Sequence, residues 1–174
     1  MGIQFETDYN METLTAMAKG LRKTVRRKRS RRVHIFAAVV LVFGLLTILA
    51  TVAGGEPLGA SGVVTLLALL VVILVSLFED RLNAWFAKKR LLPDTEHAAA
   101  TFEEDGYVSA TGVTESRFSY AQIVAVAETA RYFVFALSSH HTQAYDKRTI
   151  RGGSVEDFRA FIAEKTGKLV ENIK

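Results

Sequence analysis

The chain contains no cysteine. No disulfide framework and no thiolate metal site can be built from it, and the composition is in keeping with a reducing compartment. A second absence says more. From Val33 to Ala53, and again from Leu58 to Phe78, no acidic or basic side chain occurs except His34 at the mouth of the first run. Each run is about 20 residues, the length an α-helix needs to cross about 30 Å of hydrocarbon. Neither run has a polar face, which excludes an ordinary surface helix. Neither carries the ionisable group that a proton or ion pathway would need. A chain of 174 residues has too little protein to bury two helices that are apolar all round. Both runs are therefore expected to be membrane spans. The connection Gly54-Gly55-Glu56-Pro57-Leu58-Gly59 has the composition of a tight turn, so the pair should form a hairpin.

Lys and Arg are also missing from that connection. They crowd the outer ends of the hairpin instead: Arg22, Lys23, Arg26, Arg27, Lys28, Arg29, Arg31 and Arg32 before it, and Arg81, Lys88, Lys89 and Arg90 after it. This is the positive-inside distribution, and it places both termini in the cytoplasm. The cluster from Arg22 to Arg32 would also suit anionic lipid headgroups. Residues 1–93 hold 13 Lys/Arg against 6 Asp/Glu, whereas residues 94–174 hold 9 against 12. The basic excess thus belongs to the segments flanking the spans. Nucleic acid is not an expected partner, because no extramembrane unit is itself basic. Thr51 and Ala53 offer a small-x-small pattern after the first run. That run is too long for a signal-peptide core, however, and a second span follows at once, so a retained anchor is expected.

The catalytic motifs sought are missing too. Gly152-Gly153 lacks the spacing and the following Lys-Ser/Thr of a phosphate loop, and no serine sits in a nucleophile elbow. His140-His141 has no third ligand at suitable spacing, and neighbouring residues in a strand point to opposite faces. Glu103-Glu104-Asp105 precedes Gly106 and reads as a solvated turn. No metal, no cofactor and no enzymatic activity are expected. Lys147, Arg148 and Arg151 could form a small anion-binding edge.

What is present falls into short elements. Ile3 and Phe5 alternate with Gln4 and Glu6, a strand signal. Asn10 is a candidate N-cap for a helix whose apolar residues, Leu14, Met17, Ala18, Leu21 and Val25, recur every three or four positions. This helix should continue into the first span, with Gly20 as its weak point. After the second span, Leu82, Trp85 and Phe86 share a helical face, as in a helix leaving a bilayer along its interface with Trp85 as anchor. Pro93-Asp94 ends that segment. From His97 the period changes to two. Strands are expected at 97–102 and 107–111, around the hairpin turn Glu104-Asp105-Gly106, and then at 114–120, 123–128, 131–137 and 142–147. Ser154 and Asp157 form a capping box for a last helix through Phe158, Phe161 and Ile162, stopped at Thr166-Gly167. Leu169, Val170 and Ile173 form a short apolar tail.

The segments Phe102-Glu103-Glu104-Asp105-Gly106, Tyr120-Ala121-Gln122-Ile123, Glu128-Thr129, Phe133-Val134-Phe135, and Asp146-Lys147-Arg148 leading to Gly153-Ser154-Val155-Glu156-Asp157-Phe158 resemble the YcxB-like family of small bacterial membrane proteins. The order of parts is similar as well. Tyr120 stands where the family usually has Trp, and Asp146 where it often has Pro. The resemblance implies a pleckstrin-homology-like β domain closed by the terminal helix, in a bacterial cytoplasmic membrane. It implies no activity and carries over no catalytic residue. The expected fold is an α+β membrane protein in four parts: an N-terminal strand and basic amphipathic helix (1–32), a transmembrane hairpin (33–78, spans 33–53 and 58–78), an interfacial helical linker (79–93), and a small antiparallel β domain (94–174). The expected function is a membrane-tethered, non-enzymatic interaction module offering its β domain to a protein or lipid headgroup. The alternative is an accessory subunit of a membrane transport or envelope enzyme complex. The membrane, and either a protein partner or a second copy of the chain, are the expected partners.

Overall fold

Ile3–Asp8 forms strand β1, and its alternation is used as the spacing requires. It pairs antiparallel with β2, His97–Phe102, in the register Ile3↔Phe102, Phe5↔Ala100 and Thr7↔Ala98. Phe5 is thereby sent into the core and Gln4 to solvent. A computed structural model describes residues 2–173 of the chain; Met1 and Lys174, the outermost residues of the first and last expected parts, lie outside them. The other elements are α1 (Met11–Lys23), α2 (Arg27–Ala53), α3 (Ala60–Leu77), α4 (Glu79–Lys88), β3 (Tyr107–Thr111), β4 (Glu115–Phe118), β5 (Ala125–Glu128), β6 (Tyr132–Ala136), β7 (Thr142–Asp146), α5 (Val155–Thr166) and β8 (Val170–Asn172).

The strands form two four-stranded sheets, in the orders β1-β2-β3-β4 and β7-β6-β5-β8. The main core lies between them and is largely aromatic. Phe5, Phe102 and Tyr107 come from the first sheet, Phe133, Phe135 and Tyr145 from the second, and Phe158 and Ile162 from α5. Phe158 stands edge-on to Phe5 at 4.6 Å, to Phe102 at 4.8 Å and to Phe133 at 5.0 Å between ring centroids. This geometry adds to the stabilisation from area burial alone. The first strand is thus an integral part of the core although about 90 residues separate it from its partner. Its outer edge is sewn to the segment that follows β7. Gln4 and Arg151 exchange backbone hydrogen bonds of 2.9 Å, and the Thr149 hydroxyl donates to the Glu6 carbonyl at 2.7 Å.

The second sheet is covered on its other face by α1. Tyr132, Val134 and Ala144 point away from the main core and pack against Ala16 and Met17. All five residues of β6 are therefore buried. The Asn10 side chain accepts from the Glu12 and Thr13 amides and starts α1 as expected. The helix does not run on into the first apolar run. It ends at Lys23, turns through Thr24, Val25 and Arg26, and restarts at Arg27. Gly20 is not the weak point. It is buried where α1 meets β6, and a Cβ there would lie 2.7 Å from Val134 Cγ1. The break falls four residues later because α1 must follow the sheet while α2 runs beside α3, and Thr24-Val25 is a β-branched pair of weak helix propensity.

α2 and α3 are each long and apolar enough to cross a membrane. α2 has no buried residue and α3 only Leu69, which packs on Gly44. Arg27 to Arg32 belong to α2 rather than to the amphipathic helix, and α3 starts at Ala60 with Gly59 as N-cap instead of at Leu58. Three further expectations change within the β region. Tyr120 lies in a 3-10 turn, Tyr120–Gln122, not in a strand, and its hydroxyl donates to the Glu103 and Gly106 carbonyls at 2.6 and 3.0 Å. The apolar tail is strand β8. It pairs parallel with β5, so the domain is not wholly antiparallel. The capping box of α5 is present, with Ser154 and Asp157 bonded reciprocally and Gly167 left-handed at the far end.

Candidate functional site

The β region is joined to the feet of the two apolar helices by one seam, where α1 lies beside α4. Ala84 is wholly buried there. Arg22 near the end of α1 meets Asp80 in the first turn of α4 as a bidentate pair: Nε donates to Oδ1 at 2.7 Å and Nη2 to Oδ2 at 2.6 Å. Asp80 hydrogen-bonds the guanidinium and holds the Arg22 pKa above its ordinary value. The bidentate fork adds geometric specificity to the contact between the helices. Glu79 lies beside this pair, 3.8 Å from Arg22 Nε and 3.6 Å from His34 Nε2 at the start of the first apolar run.

A cleft opens on each flank of the seam. One is an open, mainly apolar groove of about 1110 Å³ walled by Met11, Ala16, Phe78, Leu82, Trp85, Tyr132 and Ile173, with Lys19, Arg81 and Arg131 at its margins. Trp85 belongs to this groove. It is half exposed, stands edge-on to Phe86 at 5.0 Å, and carries Lys89 Nζ 3.6 Å from its ring centroid. The other cleft, of about 650 Å³, is basic. Arg22, Arg26, Arg29 and Arg90 line it together with Ser30, Asn83 and His140.

The basic cluster therefore divides. Arg22 is committed to Asp80, and Arg26 Nε donates to the Ser139 carbonyl at 2.6 Å. Arg27 lies 3.7 Å from Glu171. Lys23, Lys28, Arg31 and Arg32 are exposed and line neither cleft. Lys147, Arg148 and Arg151 each face a carboxylate of the protein. Lys147 Nζ donates to Glu128 at 2.8 Å, Arg148 donates to Asp146 at 2.9 Å, and Arg151 lies 3.4 Å from Glu6. An anion reaching that edge would compete with three existing partners. His140 and His141 are exposed at the β6–β7 turn.

Two buried carboxylates organise ion pairs at the ends of β5 and β7. Glu128, at the end of β5, accepts from Arg159 of α5 at 2.7 Å and from Lys147 at 2.8 Å. The Arg159 hydrogen bonds, followed by Lys147, outweigh burial and hold its pKa near about 2. Asp146 accepts from Arg131 at 2.8 Å and from Arg148 at 2.9 Å, and Arg131 reaches on to Glu12 of α1. In the core, Tyr107 and Tyr145 both donate to Gln143 Oε1 at 2.7 Å, and burial raises both phenol pKa values. Each of these titratable groups is hydrogen-bonded to a neighbouring side chain. Among the described residues no group of three or more His, Asp or Glu is placed to hold a metal ion. Chemically, one cleft presents guanidinium donors and the other a mainly apolar wall. Neither cleft was legible in the sequence, because Arg90 and His140 reach Arg26 and Arg29 only through the α1–α4 seam and the β6–β7 turn. The one local signal was the density of arginine before Val33.

The fold and these clefts define an α+β chain in which two exposed apolar helices are attached to a two-sheet domain closed by a C-terminal helix. It carries a YcxB-like domain: residues 102–162, roughly a third of the chain, match the family described as YcxB-like protein. The match runs from the end of β2 into α5 and includes the Glu103–Gly106 turn, Glu128, Asp146 and the α5 capping box. No curated protein and no solved structure is significantly similar to the chain.

Proposed function

We propose that the chain is a membrane-tethered, non-enzymatic interaction module. α2 and α3 cross the membrane as a hairpin, both termini lie on the cytoplasmic side, and a pleckstrin-homology-like domain is held close to the bilayer. The observation that carries this reading is the α1–α4 seam. A domain on a free tether would need no bidentate Arg22–Asp80 pair at the feet of both apolar helices, nor a helix packed simultaneously on the sheet and on α4. Such a link lets binding at the domain reach the membrane helices. The alternative, an accessory subunit that docks through its hairpin, draws on the exposure of α2 and α3. Its small-residue argument is weaker, since Gly44 is occupied by Leu69 within the hairpin. Photocrosslinkers at Val124, on the exposed face of the domain, and at Leu49, on α2, separate the two when followed by affinity purification in mild detergent. Reproducible products from Val124 support the module. Products from Leu49 alone support the subunit, and none from either position counts against both.

A further inference from the structure

We propose that the basic cleft between α1, the foot of α2 and α4 is a binding site for the headgroup of an anionic phospholipid drawn from the surrounding bilayer. This assignment rests on the membrane-tethered reading above. Four arginines line the cleft: Arg22 from α1, already held by Asp80, Arg26 from the turn and Arg29 from α2 in the same stretch, and Arg90 just after α4. Among the described residues Glu79 is the one acidic side chain lining it, and Glu79 is already flanked by Arg22 and His34. Among the described residues, Arg29 and Arg90 make no ion pair, and the terminal nitrogens of Arg26 make no hydrogen bond. The Ser30 hydroxyl and the Asn83 amide add neutral donors. Several charge-assisted donors around one concavity suit the oxygens of a phosphodiester.

The position favours a lipid over a free phosphate. Val33, the first residue of the uncharged run, and Glu79, the residue after Phe78, both line the cleft. It therefore opens where both apolar helices leave the hydrocarbon, at headgroup level. Val33 and Phe86 are 55% and 52% exposed and give it an apolar wall. Glycerol and the first methylenes of an acyl chain would use that wall; inorganic phosphate would not. The site also touches the β domain, through His140 and through the Arg26 bond to Ser139. Lipid binding would therefore tie the β6–β7 turn to the foot of the first span.

The test uses the full chain in mild detergent, titrated with phosphatidylglycerol or with phosphatidylcholine of the same acyl length. Binding is read by native mass spectrometry and by the thermal midpoint. Phosphatidylglycerol should bind at least tenfold more tightly than phosphatidylcholine. Arg29→Gln with Arg90→Gln should remove at least tenfold of its affinity. Arg31→Gln with Arg32→Gln takes away the same charge outside the cleft and should cost less than threefold. Lipid-free midpoints close to that of the parent chain verify that both double variants fold. Equal losses in the two pairs, or equal binding of the two lipids, would overturn the site in favour of a diffuse surface field. Displacement of lipid by millimolar glycerol phosphate or inorganic phosphate would overturn the lipid as ligand. If the chain resists alkaline extraction from membranes but shows no lipid preference, only the cleft assignment falls. If alkali extracts it, the tethered reading falls as well.

Discussion

Glu128 shows how a single residue ties the domain together. It sits at 4% exposure, yet it remains ionised because Arg159 and Lys147 reach it from the last helix and from the turn after β7. Its folded pKa is about 2, below the ordinary 4.5. A depressed carboxylate pKa contributes stability that is fully present above the unfolded value and is lost as pH falls through the folded one. The window therefore runs from about pH 4.5 down to about pH 2. Glu128→Gln should cost about 2 kcal/mol at neutral pH, because it leaves the near-buried Lys147 without its carboxylate, whereas Arg159 is exposed enough to turn to solvent. The gap between parent and variant should close as pH is lowered through that window. Thermal midpoints measured across it provide the check, and a gap that does not change with pH would show that Glu128 is not held as an anion by these partners. Phe5 supplies a simpler case. It is 1% exposed and packs against the rings of Phe102, Tyr145 and Phe158, so Phe5→Ala should destabilise the fold by about 3–5 kcal/mol. Gln4 points to solvent on the same strand, and Gln4→Ala should stay within about 0.5 kcal/mol. Equal tolerance at the two positions, followed by thermal unfolding, would make the N-terminus a free tail.

Between elements, α1 approaches β6 closely at Gly20. Glycine in a helix is ordinarily worse than alanine by about 1 kcal/mol, so Gly20→Ala on a free helix would be stabilising. Here the added methyl would meet Val134 Cγ1 at 2.7 Å, and Val134 is 1% exposed, with no space to yield into. The substitution should instead cost about 1–3 kcal/mol. Combining it with Val134→Ala should cost less than the two single losses together. A Gly20→Ala variant as stable as the parent would mean that α1 does not interlock with the sheet. The same pair of elements marks how far the sequence could be read. Local signals identified β1, the Glu104–Gly106 hairpin and the capping box of α5, since alternation, turn chemistry and caps act within a few residues. The break at Thr24 was missed because it depends on where α1 lies against the sheet. β8 was missed because three residues give little period, and its parallel partner β5 lies across the α5 crossover. The two-sided burial of β6 was invisible too, since Tyr132 and Val134 could equally have faced solvent. The candidate clefts were the least legible feature. They depend on the Arg22–Asp80 pair, which joins residues 58 apart in sequence.

At the scale of the whole molecule, the proposed topology puts residue 57 and the C-terminus on opposite sides of the membrane. Reporter fusions at the two points should therefore respond oppositely, and matching responses would end the hairpin model of the spans. A stronger test asks whether the β domain exists without the segment that precedes the spans. Residues 94–174 contain seven of the eight strands seen among the described residues, and α5. Without residues 2–23 they would lose Phe5 from the core, bare the edge of β2 where β1 pairs, and uncover Tyr132, Val134 and Ala144. An exposed strand edge beside an uncovered apolar face favours association. Residues 94–174 alone should therefore aggregate or unfold without cooperativity. The missing pieces can be restored without the membrane helices. The Tyr9 amide donates to the Glu96 carbonyl at 2.7 Å, so α1 begins near the start of β2. From there it extends about 20 Å, at about 1.5 Å per residue. A Gly/Ser linker of about 15 residues has a root-mean-square reach of about 20 Å, enough to join Lys23 to Asp94. The linked protein should be monomeric and unfold in one cooperative transition, by size-exclusion chromatography and near-ultraviolet circular dichroism. If residues 94–174 alone already behave that way, β1 and α1 are accessories of a self-sufficient domain. Their packing on the sheet could not then be what couples the domain to the first span.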